Sequence, residues 1–381
     1  MKLLHLSDLH IGKVVNEISM LSEQKHILKQ ILSIVEAYNV DAVMIAGDVY
    51  DKGIPTIEAV QLFNDFLCRL GETGKHIFII SGNHDSAERL DFASSLLERV
   101  NIHLYTLYDG TVHQYDMNDE YGTVRFYLMP FVKPPMVRFY FENAEIKSYN
   151  DAFVTALSIV QTDNSIRNIM IAHQYITDGE HLPTRCDSEI ESIGGLDNID
   201  ATVFDDFDYV ALGHLHRSQY VKRETIRYCG SPLKYSASEA RGRKTVVLLD
   251  LKEKGTIDIQ KIELCPLHDM VKIEGKLTAL LEKYEGEINE DYAFVTLTDE
   301  TDLAEPVARL RTVFKNLMSV DYKRSYTTEQ EQQEIENYEN MNPIELLNQF
   351  YCRQNNMPMN DMQTEIVKKI FSELTEEQEE G

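Results

Sequence analysis

The chain has 381 residues, 43% of them hydrophobic, which is enough for two or three domains with ordinary cores. Against 63 acidic side chains stand 37 basic ones, and the net charge of −26 argues against a protein that grips nucleic acid by bulk electrostatics. No apolar run approaches the roughly 18 residues of a membrane span and the N-terminus shows no signal-peptide anatomy, so a cytoplasmic, non-membrane protein is expected.

From the N-terminus, the apolar runs KLLHLS and AVMIAG flank a segment with Leu28, Ile31, Leu32 and Val35 at helical spacing, which reads as a βαβ unit. A helical pattern from Ile57 to Leu70 leads into a third strand, HIFIIS. Further strands are expected at VRFYLM, NIMIAH, DYVALG, TIRYCG and TVVLLDL. Residues 1 to 265 therefore read as an α/β sandwich, with sheets inside and helices outside. Around Cys265 and Pro266 the pattern restarts. MVKIEG, a helix from Leu277 to Tyr284, YAFVTLT, a helix from Pro306 to Leu317 and SVDYKRS make a small α/β module over 266 to 326. Residues 327 to 341 read as an acidic linker, and 342 to 381 as two short helices. Asn342-Pro343 with Glu345, and Asn360 with Gln363, are helix starts. The second helix carries an apolar stripe of Ile366, Val367, Ile370, Phe371 and Leu374, suited to a partner or to packing on its own domain; the isolating linker favours the partner. The five cysteines form no CxxC pair, which excludes a zinc finger or disulfide framework and leaves buried thiols as the expectation.

Polar residues follow the apolar strands in a repeated way. LSDLHIG ends the first strand with Asp8 and His10, IAGDVYD the second with Asp48, and ISGNHD the third with Asn83 and His84. IAHQY then supplies His173, and LGHLH supplies His214 and His216. In an α/β sheet ligands bind beyond the carboxyl ends of the strands, so these groups are expected to converge on one edge. A mixed oxygen and nitrogen shell without thiolate fits manganese, iron, zinc or cobalt better than a structural zinc or calcium site. Residues two apart in an extended chain point the same way, so D-x-H and H-x-H each offer two ligands to one cation. A two-metal cluster needs a bridging carboxylate, and Asp48 is the candidate because Gly47 removes bulk beside it. Asn83 as a ligand would aim His84 outward, to act on a bound phosphate as the catalytic histidine, with Asp85 holding its tautomer. A lone histidine is more often structural than ligating, which suits the seven outside these motifs. The ordered set is what argues for metal.

Two other features carry less. Gly74-Lys75 lacks the rest of a Walker loop, so no nucleotide binding is expected from this chain. Residues 217 to 244 hold 8 basic and 2 acidic side chains. Arg217, Lys222, Arg223, Lys234, Arg241 and Arg243 could form a DNA-contacting lip near the cluster, or belong to a solvated hairpin.

These motifs resemble the calcineurin-like metallophosphoesterase superfamily, and in detail its DNA-nuclease members that work with an SMC-like ATPase. The likeness runs along essentially the whole chain, through KLLHLSDLHIGK, GDVYDKGIP, SGNHDSAERL, AHQY, ALGHLHRSQ, YCGSPLKYSASE and PLHDMVKIEG. It implies a four-layer α/β/β/α metallophosphoesterase sandwich with a small α/β capping domain and C-terminal helices. One Mn2+ would be held by Asp8, His10, Asp48 and His216 and a second by Asp48, Asn83, His173 and His214, with Mg2+, Fe2+, Co2+ or Zn2+ as other candidates. The implied activity is double-strand exonuclease and single-strand or hairpin endonuclease cleavage in DNA repair, recombination and replication. The implied assembly is a homodimer within a heterotetramer, dimerising through helices near 55 to 70 and 87 to 98 and clasping the ATPase with the C-terminal helices. The rival readings are a phosphomonoesterase or protein phosphatase and a non-catalytic scaffold. Lys52 where many protein phosphatases carry Arg disfavours the first, and the complete ligand set disfavours the second.

Overall fold

The computed structural model of the chain describes residues 1–179, 182–189, 198–299, 303–323, 346–348, 350–352, 359 and 362–367. Segments such as Ala42–Ala46 and Arg167–His173 are buried along their whole length, which a strand can satisfy only as the inside of a layered structure. In chain order the elements are β1 (Lys2–Leu6), α1 (Leu21–Ala37), β2 (Ala42–Ala46), α2 (Ile57–Glu72), β3 (His76–Ile80), β4 (Ile102–Tyr105), β5 (His113–Asp119) and β6 (Gly122–Met129). They continue with α3 (Pro134–Tyr140), α4 (Tyr149–Leu157), β7 (Arg167–His173), β8 (Tyr209–Gly213), β9 (Gln219–Val221), β10 (Arg223–Tyr228), β11 (Lys244–Leu251) and β12 (Ile257–Leu264). The first sheet runs β12-β11-β1-β2-β3-β4 and the second β9-β10-β8-β7-β6-β5. The middle strands of both are parallel, and the hairpin strands β11, β12, β5 and β9 pair antiparallel.

Alternation along the strands builds the layers. Ala42, Met44 and Ala46 of β2 and Phe78 and Ile80 of β3 meet Phe126, Ile169, Ile171 and Ala211 of the opposite sheet. Val43, Ile45, Ile77 and Ile79 point the other way, onto Ile27, Ile31 and Val35 of α1 and Phe63 and Phe66 of α2. Met170, Ala172, Val210 and Leu212 pack on Ala152, Phe153 and Ala156 of α4. The result is helix, sheet, sheet, helix, as expected. Thr56 starts α2 by accepting the Ala59 N–H (3.3 Å).

A third, parallel sheet joins β13 (Met270–Gly275), β14 (Asn289–Leu297) and β15 (Phe314–Tyr322), covered by α5 (Leu277–Lys283) and α6 (Pro306–Leu310). It is tied to α1 by one fully buried carboxylate. Glu23 accepts the backbone N–H of Leu267 (2.7 Å) and His268 (3.2 Å), the His268 imidazole (2.8 Å) and the Tyr292 hydroxyl (3.3 Å). Met1–Tyr322 form one compact unit and Lys323–Gly381 another.

Several expectations change. The helix from Pro306 stops at Leu310, because Phe314 onward pairs with β14 as a strand. The segment 87 to 98 is two single turns, Ala87–Leu90 and Ser94–Leu97, broken at Ala93 with φ of 64°. The edge strands β4, β5, β9 and β12 were not expected, although exposure alternates residue by residue along β5. Cys68 and Cys265 are exposed rather than buried. In the second unit residues 346–348, 350–352 and 362–367 are helical, and Gln363 Nε2 donates to Tyr351 Oη (3.1 Å). Ile366 is exposed and Val367 half-buried there, while Ile370, Phe371 and Leu374 lie outside the described residues.

Candidate metal centre

The loops after β1 and β2 continue the pairing of their strands. Asp8 N donates to Gly47 O (3.1 Å), His10 N to Asp48 O (3.0 Å) and Ile11 N to Val49 O (2.9 Å). Four side chains at these strand ends turn inward from left-handed backbone: Asp8 (φ 52°), His10 (44°), Asp48 (51°) and His214 (104°). Such conformations cost about 1–3 kcal/mol each in non-glycine residues and persist only where surrounding structure imposes them. Extended alternation therefore does not explain D-x-H here. Nor do the two histidines of H-x-H share a direction: His214 meets Asn83, and His216 meets His10.

Seven side chains converge. His10 Nε2 lies 3.0 Å from His216 Nε2. Asn83 Oδ1 lies 3.0 Å from both His173 Nε2 and His214 Nδ1. Between these groups stands Asp48, whose Oδ2 is 3.6 Å from His10 Nε2 and 3.4 Å from His173 Nε2, while its Oδ1 accepts the His84 N–H (2.9 Å). Ligand atoms of Asp8, His10 and His216 fall within 4.8 Å of one another, as do those of Asp8, Asp48 and His173, and those of His10, Asp48 and His84. Space is kept by glycine: a Cβ at Gly82 would overlap Asp48 Oδ1, and one at Gly47 would overlap the His173 ring.

Electrostatics suit a cation. Burial holds His10 well below the ordinary imidazole range and takes His214 and His216 down to about 3, so all three are neutral with a lone pair to give. Burial would also lower His173, but the Asp48 carboxylate beside it wins and raises it to about 9. Burial works to raise Asp48, yet His173, His10 and His84 hold it well below the carboxylate range. Burial and the Asp48 charge push Asp8 up. Two nitrogens 3.0 Å apart can both reach one ion at about 2.1 Å, and buried acids with neutral imidazoles and an amide oxygen are the donors a divalent cation takes. The residues fit.

His84 is half-buried at the rim, its Nδ1 2.9 Å from the Asp51 carbonyl oxygen. That oxygen, and not Asp85, holds the ring. The Asp85 carboxylate instead accepts N–H groups of Val49 (3.1 Å), Tyr50 (2.9 Å) and Gly82 (2.9 Å), pinning the loop of Asp48 to the loop of Asn83.

Behind His216 is a relay that spacing did not reveal. Ser188 Oγ meets His216 Nδ1 (2.8 Å) and donates to Glu239 (2.9 Å), Glu189 accepts the His216 N–H (2.6 Å), and Lys244 bridges Glu239 (2.5 Å) and the His216 carbonyl (2.8 Å). Glu239 ends the stretch YCGSPLKYSASE, which carried the resemblance without a stated role. His173 Nδ1 likewise donates to Ala46 O (2.8 Å). Among the basic candidates, Lys222 pairs with Asp205 (2.6 Å), Arg223 donates to carbonyls of Phe204 and Phe207, and Lys234 pairs with Asp269 (2.7 Å). Their heads are engaged in the fold. Arg217, Arg241 and Arg243 are exposed around a cleft next to His216.

Residues 1–218 match the family described as Calcineurin-like phosphoesterase, and residues 266–355 that described as Type 5 capsule protein repressor C-terminal domain. The chain is 30% identical over 382 residues to the D subunit of the SbcCD nuclease of Staphylococcus epidermidis, covering 98% of each chain. To the protein of the same name from Staphylococcus saprophyticus it is 29% identical over 388 residues, covering 99% of each. A dimetal phosphatase from Danio rerio aligns at 10% identity with a TM-score of 0.40, over 69% of this chain and 96% of that one. No helix among the described residues is long and apolar enough to cross a membrane.

Proposed function

The chain belongs to the calcineurin-like phosphoesterase family and is a metal-dependent nuclease of the SbcCD type; from this premise we propose how its residues divide the work. The observation that carries the reading is the Asp48 carboxylate standing between His10 and His173, with one oxygen near both imidazoles. In this reading Asp8, His10, Asp48 and His216 hold one divalent cation and Asp48, Asn83, His173 and His214 the other, with Mn2+ as the metal proposed and Mg2+, Fe2+, Co2+ or Zn2+ as other candidates. Bound, the pair supplies Lewis-acid polarisation of a phosphodiester and an activated water.

The chain's own groups supply the rest. Asp48 keeps its charge at the centre of the cluster and through Oδ1 fixes the backbone of His84. With Nδ1–H donated to Asp51 O, the His84 ring presents Nε2 to the substrate, and in its doubly protonated form gives the Nε2 proton, or a hydrogen bond from it, to the leaving oxygen. Asp85 sets the distance between the two loops. Arg217, Arg241 and Arg243 offer contacts to DNA phosphates. The substrate is DNA, at double-stranded ends and hairpins. The chain works in the cytoplasm with an SbcC-type ATPase, as a homodimer within a heterotetramer. Exposed Ile54, Ile57, Phe92 and Leu96 support a dimer contact on the α2 side, and the helix bearing Ile366 supports a partner contact.

The test is turnover of end-labelled duplex DNA against a chromogenic phosphomonoester, each with Mn2+ and with chelator. Metal-dependent DNA cleavage with little monoester hydrolysis is expected; the reverse preference would overturn the DNA reading. If the ATPase supplies most of the DNA-binding surface, the isolated chain will bind duplex weakly with a shallow salt dependence, and tight, steeply salt-dependent binding would contradict it.

A further inference from the structure

The sandwich has an edge where β9 and β10 of one sheet oppose β11 and β12 of the other. A cleft of about 440 Å³ opens there. Among the described residues it meets the metal centre only through His216, with Glu239 and Cys186 also in its wall. Its wall carries Arg217, Arg241, Arg243 and Lys261. Arg243 pairs with Glu263 (2.9 Å), but Arg217, Arg241 and Lys261 make no ion pair among the described residues. The carboxylate in the wall, Glu239, is already committed to Lys244, Ser188, Ser236 and the Tyr235 N–H. Close to Lys261 lies the buried guanidinium of Arg227, which together with burial holds the ammonium below its ordinary range.

Hydroxyls in the same wall are also unused. Ser218 and Thr245 line the cleft, with hydroxyl oxygens that lie beneath its surface and have no hydrogen-bond partner among the described residues, and the buried Arg227 Nη1 has none either. A buried donor is unfavourable while nothing accepts its proton. A chain of net charge −26 that collects cations and idle donors around one cleft has set aside a place suited to an anion rich in acceptors. Phosphate matches it better than a carboxylate does: it brings more acceptor oxygens and more charge, and guanidinium forks and hydroxyls are its usual donors.

We propose that this cleft between the sheets is a phosphate-binding site distinct from the metal centre, lined by Arg217, Ser218, Arg241, Thr245 and Lys261. The phosphate is either part of a nucleic-acid backbone passing His216 or a free phosphate or mononucleotide.

The full-length chain is titrated with inorganic phosphate in the presence of chelator, followed by phosphorus NMR and calorimetry. Arg241→Ala/Lys261→Ala weakens binding by about tenfold or more, whereas Asp48→Asn, which disables the metal centre, leaves it unchanged. The milder pair Arg241→Gln/Lys261→Gln, with its unfolding midpoint measured, guards against a folding artefact. Binding that is absent under chelator, or indifferent to both double variants, overturns the site without touching the nuclease reading. A single-stranded oligonucleotide lacking terminal phosphates decides the source: competition with inorganic phosphate assigns the cleft to the backbone, and independence assigns it to free phosphate or mononucleotide.

Discussion

Without metal, the centre must balance its own charges, and this makes its stability depend on pH in a way that one residue controls. His173 is raised to about 9 by Asp48, against about 6.5 in an unfolded chain. A raised imidazole stabilises the fold fully below its unfolded value and loses that contribution as pH rises through the folded value. Between about pH 7.5 and about 8.5 the His173 ring therefore holds close to one proton more in the native protein than in the unfolded chain, and its contribution to stability falls by about 1.4 kcal/mol per pH unit. The window avoids the carboxyl groups of Asp8, Asp85 and Glu189, raised to about 7 or below. Unfolded cysteines, half-ionised at about 8.5, also lose protons within this window while Cys186 and Cys229 are held up at about 12, and that part of the slope is independent of His173. Urea unfolding of the chelated protein at the two pH values gives the slope, and an NMR titration of the His173 ring gives its cause. Asp48→Asn should flatten the slope and return the ring below about 6.5. Saturating Mn2+ should remove the same His173 share of the slope, because a cation takes the place of the proton. A chelated wild type whose stability is level across this window, or an Asp48→Asn variant that keeps the ring at about 9, would refute the charge balance described for the cluster.

His84→Leu should lower DNA cleavage by about 10²–10⁴-fold while elemental analysis still finds two metals per chain; loss of metal would make His84 a ligand. Glu239→Gln removes the charge behind Ser188 and His216, and a fall of about 10–100-fold in metal affinity is expected by calorimetry, with an unchanged affinity denying the relay any part in holding His216. Gly82→Ala drives a Cβ into Asp48 and should lose metal and about 1–3 kcal/mol of stability, a cost that a silent variant would disprove.

Much of this was legible because strands that are buried on both faces leave long apolar runs, and the polar residues that end them stand out. Asp8, Asp48, Asn83, His173 and His214 come together from five such endings. What pattern could not supply was backbone conformation. The D-x-H pair looks like alternation, yet Asp8 and His10 are left-handed, a fact of the loop that no periodicity encodes. Asp85 beside His84 in sequence suggested contact, whereas a carboxylate that short finds nearby N–H groups first. The basic run from Arg217 to Lys244 mixes residues turned outward with others consumed by carboxylates and carbonyls far away in the chain, and charge counting treats them alike. Serine and glutamate behind His216 gave no signal, since Ser188 is 28 residues from the ring that it meets.

Glu23 sets the mechanical character of the molecule. One carboxylate on α1 collects four donors, from Leu267 and His268 just ahead of the third sheet and from Tyr292 within it, and it acts beside the Lys234–Asp269 pair, the Asn16 amide on Met318 O and the packing of Met270 and Met318 on the sandwich core. Parting the seam would give up these bonds together and expose to water the apolar side chains packed across it. The third sheet is therefore expected to move with the sandwich as one body, because separating them would cost the ion pair, the hydrogen bonds and the packing at once.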